Sequence, residues 1–300
     1  MKISVAICTW NRSRLLRQTL DSLVEMEIPP GMDWEIVLVD NHSTDDTVAV
    51  IEAFQNKLPI QYIFEAKQGH SISRNTAIQK ATGDYLLWTD NDVRVANHWL
   101  KTYARAFKQH PAKAFFGSKI IPVFEQAMPS WIKATWSKCK PVFAERDLGD
   151  QPRELGKGVY PYGANFAVRA DIQNTFLFNT ELGRCANGMM GEDEIDVLRK
   201  MDHAGHSGIW IPNAPVQHII PSDRATTQYI ANYFVGQGRT NILRGKVQKT
   251  KAMARSEFLK NQLAWKWKQN KSAPDVWVSH LIRASLSRGE YQALKHHRGV

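Results

Sequence analysis

Two carboxylates close the apolar run Tyr85-Leu86-Leu87-Trp88-Thr89, in the triplet Asp90-Asn91-Asp92. The run reads as a buried strand, so both acids fall at the carboxyl end of a strand, where open α/β sheets bind their ligands. In extended geometry residues two apart point the same way, which would let Asp90 and Asp92 address one divalent cation. A hard ion such as Mg2+ or Mn2+ takes oxygen ligands and usually shares itself with substrate phosphates. The pair therefore points to a metal-bridged nucleotide diphosphate. A lone Asp-x-Asp is more often a solvated turn, so its weight comes from the rest of the chain. A second apolar run, Val37-Leu38-Val39, ends on Asp40, which could accept hydrogen bonds from a base or a ribose. The plainer use, capping the helix that follows, suits Ser43, Thr44 or Asp45 better.

The elements around these acids alternate. Ile3–Thr9, Trp34–Asp40, Ile60–Glu65 and Tyr85–Thr89 read as strands. Between them, Ser13–Glu27, Thr47–Phe54 and Ser71–Ala81 read as helices, the first from Leu16, Leu20, Leu23 and Val24 at helical spacing. Such alternation predicts an α/β fold with a mostly parallel sheet flanked by helices. Trp99–Gln109 is a further amphipathic helix, and 114–124 an extended segment interrupted by Pro122. The stretch from Met128 to Pro161 predicts long loops or short helices, with Trp131 and Trp136 available to stack on a sugar. Gly191–Ala204 reads as helix, 209–212 as a late strand, and 226–244, 249–268 and 276–294 as three more helices.

Three hundred residues, 43% hydrophobic, suffice for one large domain with an appendage. No apolar run approaches the roughly 18 residues of a membrane span. Cys8, Cys139 and Cys185 form no CxxC pair, which argues against a disulfide framework or a zinc site and for a reducing, cytoplasmic setting. The formal charge of +10 is uneven: residues 246–300 hold twelve Lys/Arg against Glu257, Asp275 and Glu290. We therefore divide the chain into a catalytic domain, 1–245, and a basic helical extension, 246–300. Cations interleaved with Phe258, Trp265, Trp267 and Trp277 suit the inner face of an anionic membrane; a solvated helical appendage is the alternative.

Four segments converge on one chemistry. They are Cys8-Thr9-Trp10-Asn11-Arg12, Asp40 with the helix start after it, Gly69-His70-Ser71-Ile72-Ser73-Arg74-Asn75 leading to Asp90-Asn91-Asp92, and Gly191-Glu192-Asp193-Glu194. In order and spacing the series resembles the family-two glycosyltransferases over roughly residues 3–240. That resemblance implies a GT-A fold and inverting transfer of a sugar from a nucleotide diphosphate. It further implies a first nucleotide contact at Thr9, Asn11 and Arg12, and recognition of the base, usually uracil, by Asp40. Arg74-Asn75 matches the family's Arg-Asn before the metal motif, with Arg74 on the donor. Asp90 and Asp92 take the place of the family's Asp-x-Asp, Asp92 being the direct ligand, and His218 matches a residue that joins the metal or diphosphate. Gly163-Ala164-Asn165 looks like the segment lining the donor sugar. Glu192-Asp193 looks like the pair whose Asp is the catalytic base, Glu192 being a positioning residue or acceptor contact. The remaining histidines, His203 and His206 among them, are assigned to surface or packing.

The Gln-x-x-Arg-Trp signature of processive synthases is absent, since Gln237-Gly238-Arg239 is not followed by that Trp, so one sugar per encounter is expected. Trp10 stands where relatives commonly carry Tyr. The expected partners are a nucleotide-sugar donor, a UDP-sugar by resemblance, and a glycan or lipid-linked acceptor of bacterial surface polysaccharide or glycolipid assembly; no nucleic acid is expected. Nucleotidyl transfer also uses paired acids and Mg2+, but with a Gly-rich basic fingerprint after the first strand that this chain lacks. Neither Gly-x-Gly-x-x-Gly nor a Walker motif is present. A non-catalytic nucleotide-sugar or nucleic-acid binding protein is the other alternative.

Overall fold

The computed structural model describes residues 1–185, 188–189, 191–269 and 271–296. It divides into two compact units, the first made of Met1–Val123, Ala144–Glu181 and Asp193–Ile219.

The first unit is built on an eight-stranded mixed sheet. Strands β1 (Lys2–Thr9), β2 (Asp33–Asp40), β3 (Ile60–Phe64) and β4 (Tyr85–Asp90) run parallel in the order β3-β2-β1-β4. Their near-continuous Val, Ile and Leu content fits a sheet covered on both faces. Beyond β4 the order continues through β9 (Asn165–Arg169), β6 (Phe115–Gly117), β12 (Gly208–Trp210) and β8 (Arg153–Leu155). Here β9 is antiparallel to both β4 and β6. A second sheet of three strands sets β13 (Val216–Ile220) between β5 (Val93–Val95) and β7 (Ile120–Phe124). The extended segment expected over 114–124 is thus two strands in two sheets, broken at Ser118-Lys119. Ser118 Oγ donates to the carbonyl of Ile211 at the break.

Helices α1 (Ser13–Val24), α2 (Thr47–Glu52) and α4 (Trp99–Gln109) pack on one face of the large sheet, with Leu16, Leu20, Leu100 and Phe107 in a core shared with Ile3, Ile36 and Leu87. Helices α3 (His70–Lys80) and α8 (Asp193–His203) cover the other, with Ala77, Val197 and Met201 packed among Val37, Leu86 and Phe166. The short α7 (Ala170–Gln173) follows β9.

The second unit comprises 124–143, 182–192 and 220–300. It contains the short helices α5 (Ser130–Ala134) and α6 (Trp136–Cys139), a two-stranded ribbon of β10 (Arg184–Cys185) and β11 (Gly188–Met189), and three longer helices. These are α9 (Thr227–Leu243), α10 (Lys251–Lys268) and α11 (Pro274–His296). Helices α9 and α11 meet at reciprocal glycines. A Cβ on Gly238 would lie 2.2 Å from the Leu286 carbonyl, and one on Gly289 2.0 Å from that of Val235. Any side chain there would force the backbones apart. No described helix is long and apolar enough to cross a membrane.

Candidate active site

Parallel pairing aligns the carboxyl ends of the central strands. Thr9 is in register with Asp40, and Cys8 with Asp90, so the ends of β1, β2 and β4 form one edge. Side-chain bonds join the loops beyond that edge. The Asn91 amide donates to Thr9 Oγ1 (2.9 Å). Asn11, at φ +49°, gives its backbone N–H to Ser43 Oγ (2.9 Å) and accepts from the Thr44 N–H (2.7 Å). Arg12, half-buried, immediately precedes α1. Asp40 is buried and accepts from the Ser43 N–H (3.0 Å). Tyr62, which sequence reasoning did not single out, places its hydroxyl 3.4 Å from the other Asp40 oxygen. The start of α2 is served instead by Asp45, which accepts from the Thr47 N–H (3.1 Å).

Strand β4 ends at Asp90, and Asn91-Asp92 form a turn, so extended geometry does not carry both carboxylates to one side. Asp90 remains 34% exposed, whereas Asp92 is buried. A different device gives Asp92 its neighbour. The antiparallel β5–β13 ladder sets Val93 opposite His218, and the Ile219 N–H donates to the Asp92 carbonyl (2.8 Å). His218 Nε2 then stands 3.5 Å from Asp92 Oδ1, both side chains buried. Among the described residues no three His, Cys, Asp or Glu groups form a ready-made metal cage. A buried oxygen and nitrogen beside a partly exposed carboxylate still suit a hard cation that takes its other ligands from substrate and water.

Asp193 opens α8 and is buried. Its Oδ2 receives Arg74 Nη1 at 3.1 Å and Ser71 Oγ at 3.2 Å, with His70 Nδ1 at 3.4 Å. His70, Ser71 and Arg74 all lie in the first turns of α3. His70 therefore belongs to the site and not to surface or packing as expected; its i, i+4 spacing from Arg74 was the available signal. Burial alone would raise the Asp193 pKa, but Arg74 and then His70 hold it well below the usual carboxylate range. Arg74 also reaches Glu194 (3.9 Å) and Asp90 (4.0 Å), and its guanidinium lies 5.0 Å from the ring centre of Phe178. One buried cation thus joins the end of β4 to the start of α8. Glu194 accepts from the Gly163 N–H (3.2 Å), and burial followed by the adjacent Asp193 pushes its pKa up to about 8.

Glu192 stands at φ +67°, a left-handed conformation that no helix accepts, and α8 starts one residue later. Within the second unit it accepts from Gln237 Nε2 (2.9 Å) and Lys246 Nζ (2.7 Å) and pairs with Arg244. Burial opposes its ionisation, yet Lys246 and Gln237 keep its pKa below the normal value. Asn165 is wholly buried. Its oxygen accepts from Trp99 Nε1 (2.9 Å) and Tyr103 Oη (3.0 Å), and its amide donates to the carbonyls of Lys119 and Ala214 (2.8 Å each). In the structure Asn165 is a buried tie between segments, bonded through both ends of its amide to protein groups. Asn75 likewise brackets the backbone of Phe178 (2.9 Å). Trp131 packs on Trp277 and Trp136 on Phe143, inside the second unit.

Comparison with known proteins shows what the chain is similar to. Residues 4–150 match the model of Glycosyl transferase family 2. The succinoglycan biosynthesis protein ExoM of Rhizobium meliloti is 25% identical over 246 residues, covering 80% of this chain and 74% of that protein. The poly(ribitol-phosphate) beta-N-acetylglucosaminyltransferase TarS of Staphylococcus aureus is 31% identical over 112 residues, 37% of this chain and 19% of its own. The chain thus spans about a fifth of that relative's length. Among solved structures, TarS 1–349 in complex with UDP-GlcNAc superposes with a TM-score of 0.58 at 17% identity, over 99% of this chain and 92% of that one. The mannosyltransferase PcManGT of Pyrobaculum calidifontis, in complex with GDP-Man and Mn2+, gives 0.60 at 17% identity, over 95% and 86%.

Proposed function

For a chain that belongs to glycosyl transferase family 2 and carries the GT-A fold, we propose inverting, one-sugar-at-a-time transfer from a nucleotide-diphosphate donor to a hydroxyl of a glycan or lipid-linked acceptor. The observation that carries the reading is the position of Arg74, between Asp90 at 4.0 Å and Asp193 at 3.1 Å. A leaving diphosphate and a proton acceptor are the two things such a reaction must hold close together.

In this reading the nucleoside lies on the edge formed by Thr9, Asn11, Arg12 and Asp40. The buried Asp40 carboxylate faces the N–H groups of the base, and the exposed ring of Phe64, in register with Asp40, offers a flat neighbour. The residues fit Mg2+ or Mn2+, held by Asp92, Asp90 and His218; once bound, the ion would offset the negative charge gathering on the departing diphosphate. The acceptor oxygen attacks the anomeric carbon while the bond from that carbon to the phosphate oxygen breaks, and the acceptor's proton passes to Asp193. Because Arg74 and His70 keep Asp193 ionised, it is ready as a base at any physiological pH. It is also a weak base, so proton transfer comes late, as the attacking hydroxyl acquires positive charge. Arg74 stabilises the anion leaving on its Asp90 side. We assign these steps to residues 1–245.

The resemblance to a succinoglycan biosynthesis protein supports an acceptor in bacterial surface polysaccharide or glycolipid assembly, and the complexes of the structural relatives support UDP- or GDP-sugars, with UDP preferred. The test is a panel of nucleotide sugars scored for Mn2+-dependent thermal stabilisation and slow donor hydrolysis, with Asp92→Ala as control. One donor should stabilise the wild type and lose its metal dependence in the variant. No response to any nucleotide sugar would overturn the reading.

A further inference from the structure

Helix α10 carries apolar residues on two faces. Phe258 stacks on Tyr291 (5.7 Å, 11°) and Trp265 lies 6.0 Å from Trp277, so these serve the packing of the helical unit. Leu259, Leu263 and Trp267 do not, being 51%, 70% and 62% exposed. Spaced four apart, they form a line along the helix. Exposed Ala252 and Ser256 continue the line toward its start, with exposed Met253 beside them. The helix is about 27 Å long at 1.5 Å per residue, and the line occupies most of it. Scattered exposed apolar residues are ordinary, but a continuous row marks an interaction surface.

The charge around the row identifies its partner. Lys251, Arg255, Lys260 and Lys266 are exposed, and Lys268 Nζ lies 4.4 Å from the ring centre of Trp267. The one acid of the helix, Glu257, is paired with Lys249. A second copy meeting this face about a two-fold axis would set cations against cations. A narrow apolar row with Lys and Arg alongside and a Trp at one end is instead the pattern of a helix lying in the headgroup plane of a membrane.

We propose that the Leu259–Leu263–Trp267 face of α10 docks in the surface of a bilayer containing anionic lipid, inserting the apolar row while the flanking cations meet phosphates. Such docking needs nothing from the donor site, so its failure would leave sugar transfer untouched.

The test is flotation of the full chain with vesicles of phosphatidylcholine alone or mixed with phosphatidylglycerol, at low and high salt. The wild type should float with mixed vesicles at low salt and largely detach at high salt. Leu263→Glu should weaken binding roughly 10- to 100-fold, as loss of one buried leucine implies. Lys260→Ala with Lys266→Ala should weaken it about 25-fold, at about fivefold per cation. All three positions are exposed, so both variants should melt with the wild type and hydrolyse donor at its rate. The charge variant keeps the test alive should Leu263→Glu fold poorly. Three outcomes would overturn the proposal: no flotation, undiminished binding by both variants, or a dimer in solution that Leu263→Glu dissolves, which would give the face to a second copy.

Discussion

Replacing Arg74 by Met removes the guanidinium and keeps most of the aliphatic volume. It leaves Asp193, buried and formerly 3.1 Å from that cation, with His70, Ser71 and Glu194 as its partners among the described residues. Stripping one partner from a buried ion pair costs about 3–5 kcal/mol. For a chain of this size that is a fall in melting temperature on the order of 10 °C at neutral pH. The loss should depend on pH, and its sign follows from which acids change. In the wild type Arg74 depresses the Asp193 pKa, so this acid adds stability above its unfolded value that is lost only in strong acid. In the variant burial, the largest influence on Asp193, would outweigh His70 and the hydrogen bond from Glu194 and raise the Asp193 pKa above its unfolded value of about 3.9. Its contribution is then fully present below that value and disappears as pH climbs through the new native pKa. The gap between the two proteins should therefore be small near pH 4 and widen by about 1.4 kcal/mol per pH unit over the titration. Melting both proteins across about pH 5 to 8 reads the gap directly. A gap that does not change with pH would refute the reasoning. It would mean that Arg74 acts through its packing on Phe178 and Trp88, 5.0 and 5.7 Å from their ring centres, and not through charge.

Asp193→Asn should lower turnover roughly 10²–10⁴-fold, the usual worth of a positioned base, while calorimetry finds donor affinity largely intact; unchanged turnover would remove Asp193 from the chemistry. Glu194 carries the opposite linkage. With its native pKa raised from 4.5 to about 8, its contribution is complete below the lower value and lost as pH rises through the upper one. Glu194→Gln should accordingly melt above the wild type near pH 8 and near it in mild acid, as read by thermal melts in the two buffers.

Much of the candidate site's edge was legible because it belongs to long apolar strands. Ile3–Thr9, Trp34–Asp40 and Tyr85–Thr89 declare themselves by composition, and their ends place Thr9, Asp40 and Asp90 together once the pairing is parallel. Helix α4 was legible residue for residue, its apolar stripe being complete from Trp99 to Phe107. What escaped was short or distant. Strand β5 has three residues, too few to show any period, and β9 joins β4 in the antiparallel sense only because the chain has left the sheet and returned. The extended geometry expected to align Asp90 with Asp92 is absent because the strand stops at Asp90. Helix α8 begins two residues later than its apolar pattern suggested, since Glu192 is left-handed. The i, i+4 spacing of His70 and Arg74 marks a shared helix face, but the arrival of Asp193 at that face from the far side of the sequence is not recorded in it.

The ladder joining β5 to β13 has a consequence for how tolerant this protein is of length changes. Side chains on a strand alternate, so adding one residue between Pro215 and His218 would swing the imidazole to the opposite face as thoroughly as removing it. Lengthening the chain well before that strand shifts no rung. The spacing that matters at Asp92 is counted in hydrogen-bonded rungs and not in the number of residues between the two strands.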